Sequence, residues 1–189
     1  YFVDTTAAVG LKSTSKPFTR FGIGWMDFNN DGFLDLYEAN GRVLRNAVAE
    51  GIDPYAQENI LLHGSASGQF SEVFPRGGVG SPRSFTSRAA AFGDLDNDGA
   101  VDIVVVNRDA PATVLRNTNP EHGKWIRFRV LDANGRDALG AVLTAKVGPR
   151  HLTRPVLTGF SYLAANDPRV HLGLGTTTAV DEVTIRWID

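Results

Sequence analysis

Hydrophobic and polar residues alternate with a period of two along much of this chain, the pattern of strands buried on one face. Read in order, the alternation predicts strands over residues 19–26, 34–39, 58–63 and 69–74, a four-stranded meander. A second set is predicted over residues 87–93, 101–107 and 112–117, and one short aromatic-led strand over residues 1–5. From Lys124 onward five further runs read as strands: WIRFRVLD, AVLTAKVG, HLTRPVLTG, RVHLGLG and VDEVTIRWI. They fit a small antiparallel sandwich with Trp125, Phe128, Ile185 and Trp187 in its core. Helical character is expected only in the first half of VLRNAVAEGIDPYAQ, as a short helix ending at Gly51.

The two strand sets carry one repeated passage. GIGWMDFNNDGFLDLYEAN in the first has its counterpart AAAFGDLDNDGAVDIVVVN in the second. Asp27 and Asp94 open equivalent loops 67 residues apart, a spacing that fits an array of four-stranded blades. The fold expected is therefore all-β: two four-stranded propeller-like blades, each with an acidic loop, then a C-terminal antiparallel β-sandwich. The repeat region covers residues 1–120, with units at about 19–74 and 87–117, and the sandwich covers residues 121–189. The stretch 43–57 in the first unit is much longer than its counterpart RDAPA. It is a candidate binding loop, with Tyr55 as an expected exposed aromatic, or else a tolerated surface insertion.

The loops carry the chemistry. Asp94, Asp96, Asp98 and Asp102 take positions 1, 3, 5 and 9, with Gly99 at position 6 turning the backbone so that the Ala100 carbonyl points inward. The upstream loop reads Asp27, Asn29, Asp31, Gly32 and Asp35, with the Phe33 carbonyl in the backbone position. Four carboxylates this close repel one another without a counter-ion, so the pattern calls for a cation. Flexible loops with many carboxylates suit Ca2+, whereas Mg2+ demands a small octahedron and keeps its waters. Two calcium sites are expected, the first weaker because one carboxylate has become an amide. Asp27 through Glu38 also satisfies the EF-hand pattern, but Val105 stands where the second loop would need its glutamate, and no helices flank either loop. Glu38 is accordingly assigned to a strand. His63, His122, His151 and His171 differ in context, and none is assigned to metal or catalysis.

Composition adds limits. Hydrophobic residues make up 42% of the chain, enough for a core, and the net charge of −2 gives no nucleic-acid surface or polybasic membrane patch. Seven of the 21 acidic residues sit in the two loops. There is no cysteine, so disulfides are excluded and calcium takes the stapling role. No apolar run approaches the roughly 20 residues of a membrane span, and the start YFVDTTAAVGL is unlike a signal peptide, as expected of a mature extracellular or cell-surface chain. GxSxG, HExxH, phosphate-loop and dinucleotide motifs are absent, which argues against enzymatic activity.

The two loop units resemble FG-GAP/VCBS repeats, the calcium-bearing propeller blades of integrin-like proteins, and NILLHGSASGQFSEV is similar to the strand-turn-strand that follows the calcium strand there. The tail resembles the ASPIC/UnbV module through GRDALGAVLTAKVG, GFSYLAANDPRVHLGLG and VDEVTIRW. It departs from that module at Ile188, where a proline is expected, and at Ala164 and Ala165, which replace a more polar pair. The resemblance implies propellers of about seven blades, and two blades cannot close a ring. Either the chain is part of something longer or its open edges are covered. Residues 1–5 read as a fourth strand without a blade, and the second unit as a blade without its fourth strand. The expected function is a non-enzymatic extracellular structural or adhesion module that self-associates head-to-tail into a filament or ring through open β edges. The alternative is a recognition domain for a protein or glycan ligand, or an accessory domain of a larger propeller protein or enzyme.

Overall fold

Residues 1–188 are described by a computed structural model, and their regular elements are nearly all strands. A five-residue helix α1 (Leu11–Ser15) comes first. The first sheet holds β1 (Arg20–Met26), β2 (Asp35–Asn40), β4 (Ile60–Gly64) and β5 (Phe70–Glu72) as an antiparallel meander, with β3 (Gln57–Glu58) ahead of β4. Every residue of β2 is buried, because the strand is covered on both faces. Leu36 points to a cluster with Ile60 and Leu62 that Leu11 of α1 covers, while Tyr37 and Ala39 point to the opposite core. Ile60 and Leu62 are fully buried, each contributing about 1.5–3 kcal/mol by removal from water.

The second sheet holds β6 (Ser84–Gly93), β7 (Asp102–Arg108) and β8 (Thr113–Leu115), and its fourth member is β3, paired to the start of β6. The strand completing this sheet thus comes from the insertion after β2, on the edge opposite β8, an arrangement the alternation does not reveal. The two sheets pack β1 against β6. Small residues set that approach: a Cβ built on Gly24 would lie 2.1 Å from the Phe92 ring. Met26, Tyr37, Ala90, Phe92, Ile103 and Val105 fill the space between the sheets.

The tail forms β9 (Lys124–Phe128), β10 (Val142–Val147), β11 (Arg150–Pro155), β12 (Val170–Gly175) and β13 (Glu182–Arg186). One antiparallel sheet has the order β11-β10-β13 and the other pairs β12 with β9. On β10 the buried Leu143, Ala145 and Val147 alternate with outward Thr144 and Lys146, as the pattern requires. They join Leu152, Val156, Leu172 and Leu174 in one apolar cluster shared by both sheets, and Phe128 and Ile185 pack on it as expected.

Five expectations are corrected. Residues 1–5 form no strand: Tyr1, Phe2 and Val3 are exposed, and Asp4 instead accepts the Thr6 N–H in a turn. Residues 43–50 form no helix, because the insertion bonds across itself, Arg42 N–H to Tyr55 O at 2.7 Å and Asn46 N–H to Pro54 O at 3.1 Å. Tyr55 is half-buried, with the Arg108 guanidinium 4.4 Å above its ring. Trp187 lies 42% exposed at the margin of the tail, and Trp125 packs on a loop of the second unit instead of inside the tail's own cluster.

Candidate metal centres

Each acidic loop joins the first two long strands of its sheet, β1 to β2 and β6 to β7, so the strand ends hold both the first and the ninth positions. The two loops repeat one hydrogen-bond plan. Asp27 Oδ1 and Oδ2 accept the N–H groups of Asp31 and Gly32 at 3.0 and 2.9 Å; Asp94 accepts those of Asp98 and Gly99 at 3.1 and 2.9 Å. At the fifth position Asp31 accepts Phe33 N–H at 2.8 Å, and Asp98 accepts Ala100 N–H at 2.9 Å. At the ninth, Asp35 accepts from Phe28 and Gly64, and Asp102 from Leu95 and Asn117, all at 2.8–2.9 Å. Backbone torsions agree as well: φ is +59° at Asn30 and +61° at Asn97, then +90° at both Gly32 and Gly99. The left-handed turn anticipated at the two glycines is therefore present, preceded by a second one on asparagine, a residue that tolerates it.

In the second loop Asp94, Asp96 and Asp102 each offer an oxygen within 4.8 Å of the others. With Asp98 alongside and Ala100 buried behind the turn, this oxygen-only donor set fits a hard divalent cation. Guanidinium groups meet it from two sides. Arg127 Nη1 lies 2.6 Å from Asp94 Oδ2, and Arg116 contacts the Asp96 carboxylate and lies 3.6 Å from that of Asp98.

The first loop is more closed on itself. Asn29 Nδ2 donates to Asp31 Oδ2 at 3.0 Å, and His63 Nε2 lies 3.1 Å from the same oxygen. Burial pushes Asp27 up to about 6 and Asp35 up to about 7, against backbone donors that pull them down. An amide in place of a carboxylate and a histidine beside the fifth position make this loop a less charged site than the second. Glu38 stands apart on β2, buried and bonded to Ser15 and Arg20, as its assignment to a strand requires.

Both loops also meet the tail, a juxtaposition that spacing along the chain does not show. Asn30, fully buried, donates through Nδ2 to Gly99 O at 3.0 Å and accepts His171 Nε2–H through Oδ1 at 2.7 Å. Backbone bonds flank it: Gly123 N–H to Asn29 O and Gly175 N–H to Asn30 O, each 2.7 Å. Arg150 Nη1 donates to Asp31 O at 2.8 Å. On the second loop, Asn97 Oδ1 accepts from Arg127 and Arg169 at 2.8 and 2.9 Å. Trp125 lies flat on the loop, so that a Cβ on Gly99 would fall 1.8 Å from its ring. Burial, with Arg127 nearby, lowers His171 to about 4, so at neutral pH it is an uncharged donor to Asn30. The sequence singled out none of Asn30, Asn97, Arg127, Arg150 or His171. The signal available for the two asparagines was their shared place, fourth in each loop.

An ASPIC and UnbV domain is found at residues 131–189, the part of the chain that begins just after β9. Over more of its length the chain is similar to cartilage acidic protein 1. It is 29% identical to the Xenopus tropicalis protein over 176 residues, covering 86% of this chain and 24% of that one. The Homo sapiens protein gives 29% over 177 residues with the same coverages, and the Mus musculus protein 24% over 239 residues, all of this chain and 36% of that one. The chain thus spans between 24% and 36% of the length of these curated relatives. Among the described residues no helix is long and apolar enough to cross a membrane.

Proposed function

We propose that this chain is a non-enzymatic, calcium-binding structural module of the extracellular space, in which two ions fix the loops that carry the tail. Asp94, Asp96, Asp98 and Asp102 with the Ala100 carbonyl would hold one Ca2+; Asp27, Asn29, Asp31 and Asp35 with the Phe33 carbonyl would hold the other. A bound ion supplies the positive charge that offsets the clustered carboxylates. The observation that carries the reading is the point-by-point duplication of the loop bonding plan, down to the φ values at Asn30/Asn97 and Gly32/Gly99. On this reading the two four-stranded sheets are FG-GAP/VCBS-like blades and the tail is a small sandwich seated on their calcium loops. An extracellular setting, where weak calcium sites fill, is in keeping with the name of the relatives, cartilage acidic protein 1. Calcium titrated calorimetrically into the chelator-stripped chain tests this. Two ions per chain are expected, reduced to one by D94N/D98N, and an absence of saturable heat contradicts it.

A second reading concerns partners. Tyr1, Phe2 and Val3 are apolar, exposed and unpaired, and the short β8 lies at the end of its sheet. Residues 1–5 of one molecule are suited to extend β8 of the next, which generates a head-to-tail fibre or ring. Light scattering of the chain with and without residues 1–5 tests this: assembly that survives the deletion rules it out.

A further inference from the structure

A cleft of about 260 Å3 opens between β1, β6 and the tail, behind the two acidic loops. Its walls include Trp25, Phe92, Leu157 and Phe160, with Phe160 stacked on Phe92 at 6.0 Å between ring centres. Arg154 and His171 also line it. The other two arginines on its rim are matched: Arg127 to Asp94 and Arg169 to Asp167, each at 2.6 Å. Among the described residues, Arg154 has no carboxylate within ion-pair distance, and its guanidinium bonds only the neighbouring Thr153 carbonyl, at 3.0 Å. Asp27 is the acidic group that acts on it from a distance. His171 spends its Nε2–H on Asn30, which leaves Nδ1 as a buried acceptor without a donor.

We propose that this cleft binds a small organic monocarboxylate with an aromatic body and a hydroxyl group. A largely buried guanidinium with no carboxylate within ion-pair distance recruits one, to which it presents a planar fork of donors. The aromatic walls accept a ring, and the buried Nδ1 accepts a hydroxyl hydrogen. A mostly apolar cleft with a few convergent polar groups is the ordinary form of a small-molecule site. The cleft adjoins the acidic loops, whose Asp27 and Asp94 form part of its wall, but the groups that recognise the ligand, Arg154, His171 and the aromatic side chains, are not among the loop carboxylates.

The test is isothermal titration of the full chain with 4-hydroxyphenylacetate, phenylacetate and 4-hydroxyphenylacetamide. Saturable binding of the hydroxy acid is expected, with at least a tenfold loss for the amide and a smaller loss for phenylacetate. Arg154→Met should abolish binding and Arg154→Lys retain part of it, both with unchanged calcium stoichiometry. Phe160→Ser, an exposed wall residue, serves if Arg154→Met unfolds, and should weaken binding several-fold. Equal affinity for acid and amide, binding untouched by Arg154→Met or Phe160→Ser, or no saturable heat up to about 10 mM ligand would overturn the proposal.

Discussion

Asn30 Oδ1 accepts the Nε2–H of His171 at 2.7 Å across 141 positions of sequence, joining an acidic loop to strand β12 of the tail. The same asparagine bonds the second loop through Gly99 O, so one fully buried side chain ties three parts of the molecule together. Asn30→Ala leaves the His171 N–H and the Gly99 carbonyl buried without partners and puts a poorly tolerated residue at φ +59°. We expect a loss of about 2–4 kcal/mol, read by thermal unfolding. Asn97→Ala, whose partners are exposed arginine contacts, should cost clearly less.

The charge difference between the loops makes affinity order a test. Asn29→Asp restores the fourth carboxylate to the first loop and should tighten its calcium binding several-fold, measured in the D94N/D98N background, where the second site is silent. Unchanged affinity would mean that the third position is no ligand in that loop.

Arg116 reaches the Asp96 and Asp98 carboxylates from an exposed position. A cation entering the second loop competes with that guanidinium for the same oxygens. Arg116→Gln should therefore raise calcium affinity at the second site, by up to about fivefold given the modest worth of exposed pairs. Weaker binding in the variant would assign Arg116 a supporting role instead.

Acidity should act on the first loop through Asp27 and Asp35. Burial raises both, to about 6 and about 7, from an ordinary 3.8. The folded metal-free chain therefore holds protons that the unfolded chain has released, and its stability falls as pH rises from about 4 towards 7. Calcium requires the deprotonated forms, so first-site affinity should rise over the same window and level off above it. Titrations at pH 5.5, 6.5 and 7.5 in the D94N/D98N background check the sign.

The close approach of the two sheets depends on Gly24 beneath Phe92. Gly24→Ala overfills that contact, and we expect about 1–3 kcal/mol of destabilisation, measured by urea unfolding, with both calcium sites still present at low temperature.

Strand positions were legible because alternation is local. Leu143, Ala145 and Val147 announce the buried face of β10 whatever lies beyond it. The repeated loops were legible for the same reason, since spacing and the turn at Gly32 and Gly99 are properties of nine consecutive residues. What escaped depends on partners distant in sequence. Residues 1–5 alternate as a strand does, yet no edge receives them in the folded chain. Residues 43–50 carry helix-forming residues, but bonds to Pro54 and Tyr55 hold the insertion open and feed β3 into the second sheet. Trp125 reads as core, and becomes instead a cover for Gly99 because β9 lies against the loop. His171 sits in an alternating strand like any other polar residue, and only the docking of loop on tail reveals its partner.

The central claim is that ions in the two loops hold the tail in place, and hydrogen exchange at two amides tests it most directly. Gly123 and Gly175 donate their N–H groups to the first-loop carbonyls Asn29 O and Asn30 O. With millimolar Ca2+ both amides should exchange slowly, and in excess chelator much faster, while amides inside β10 keep their protection. Equal protection of Gly123 and Gly175 in the two conditions would contradict the claim.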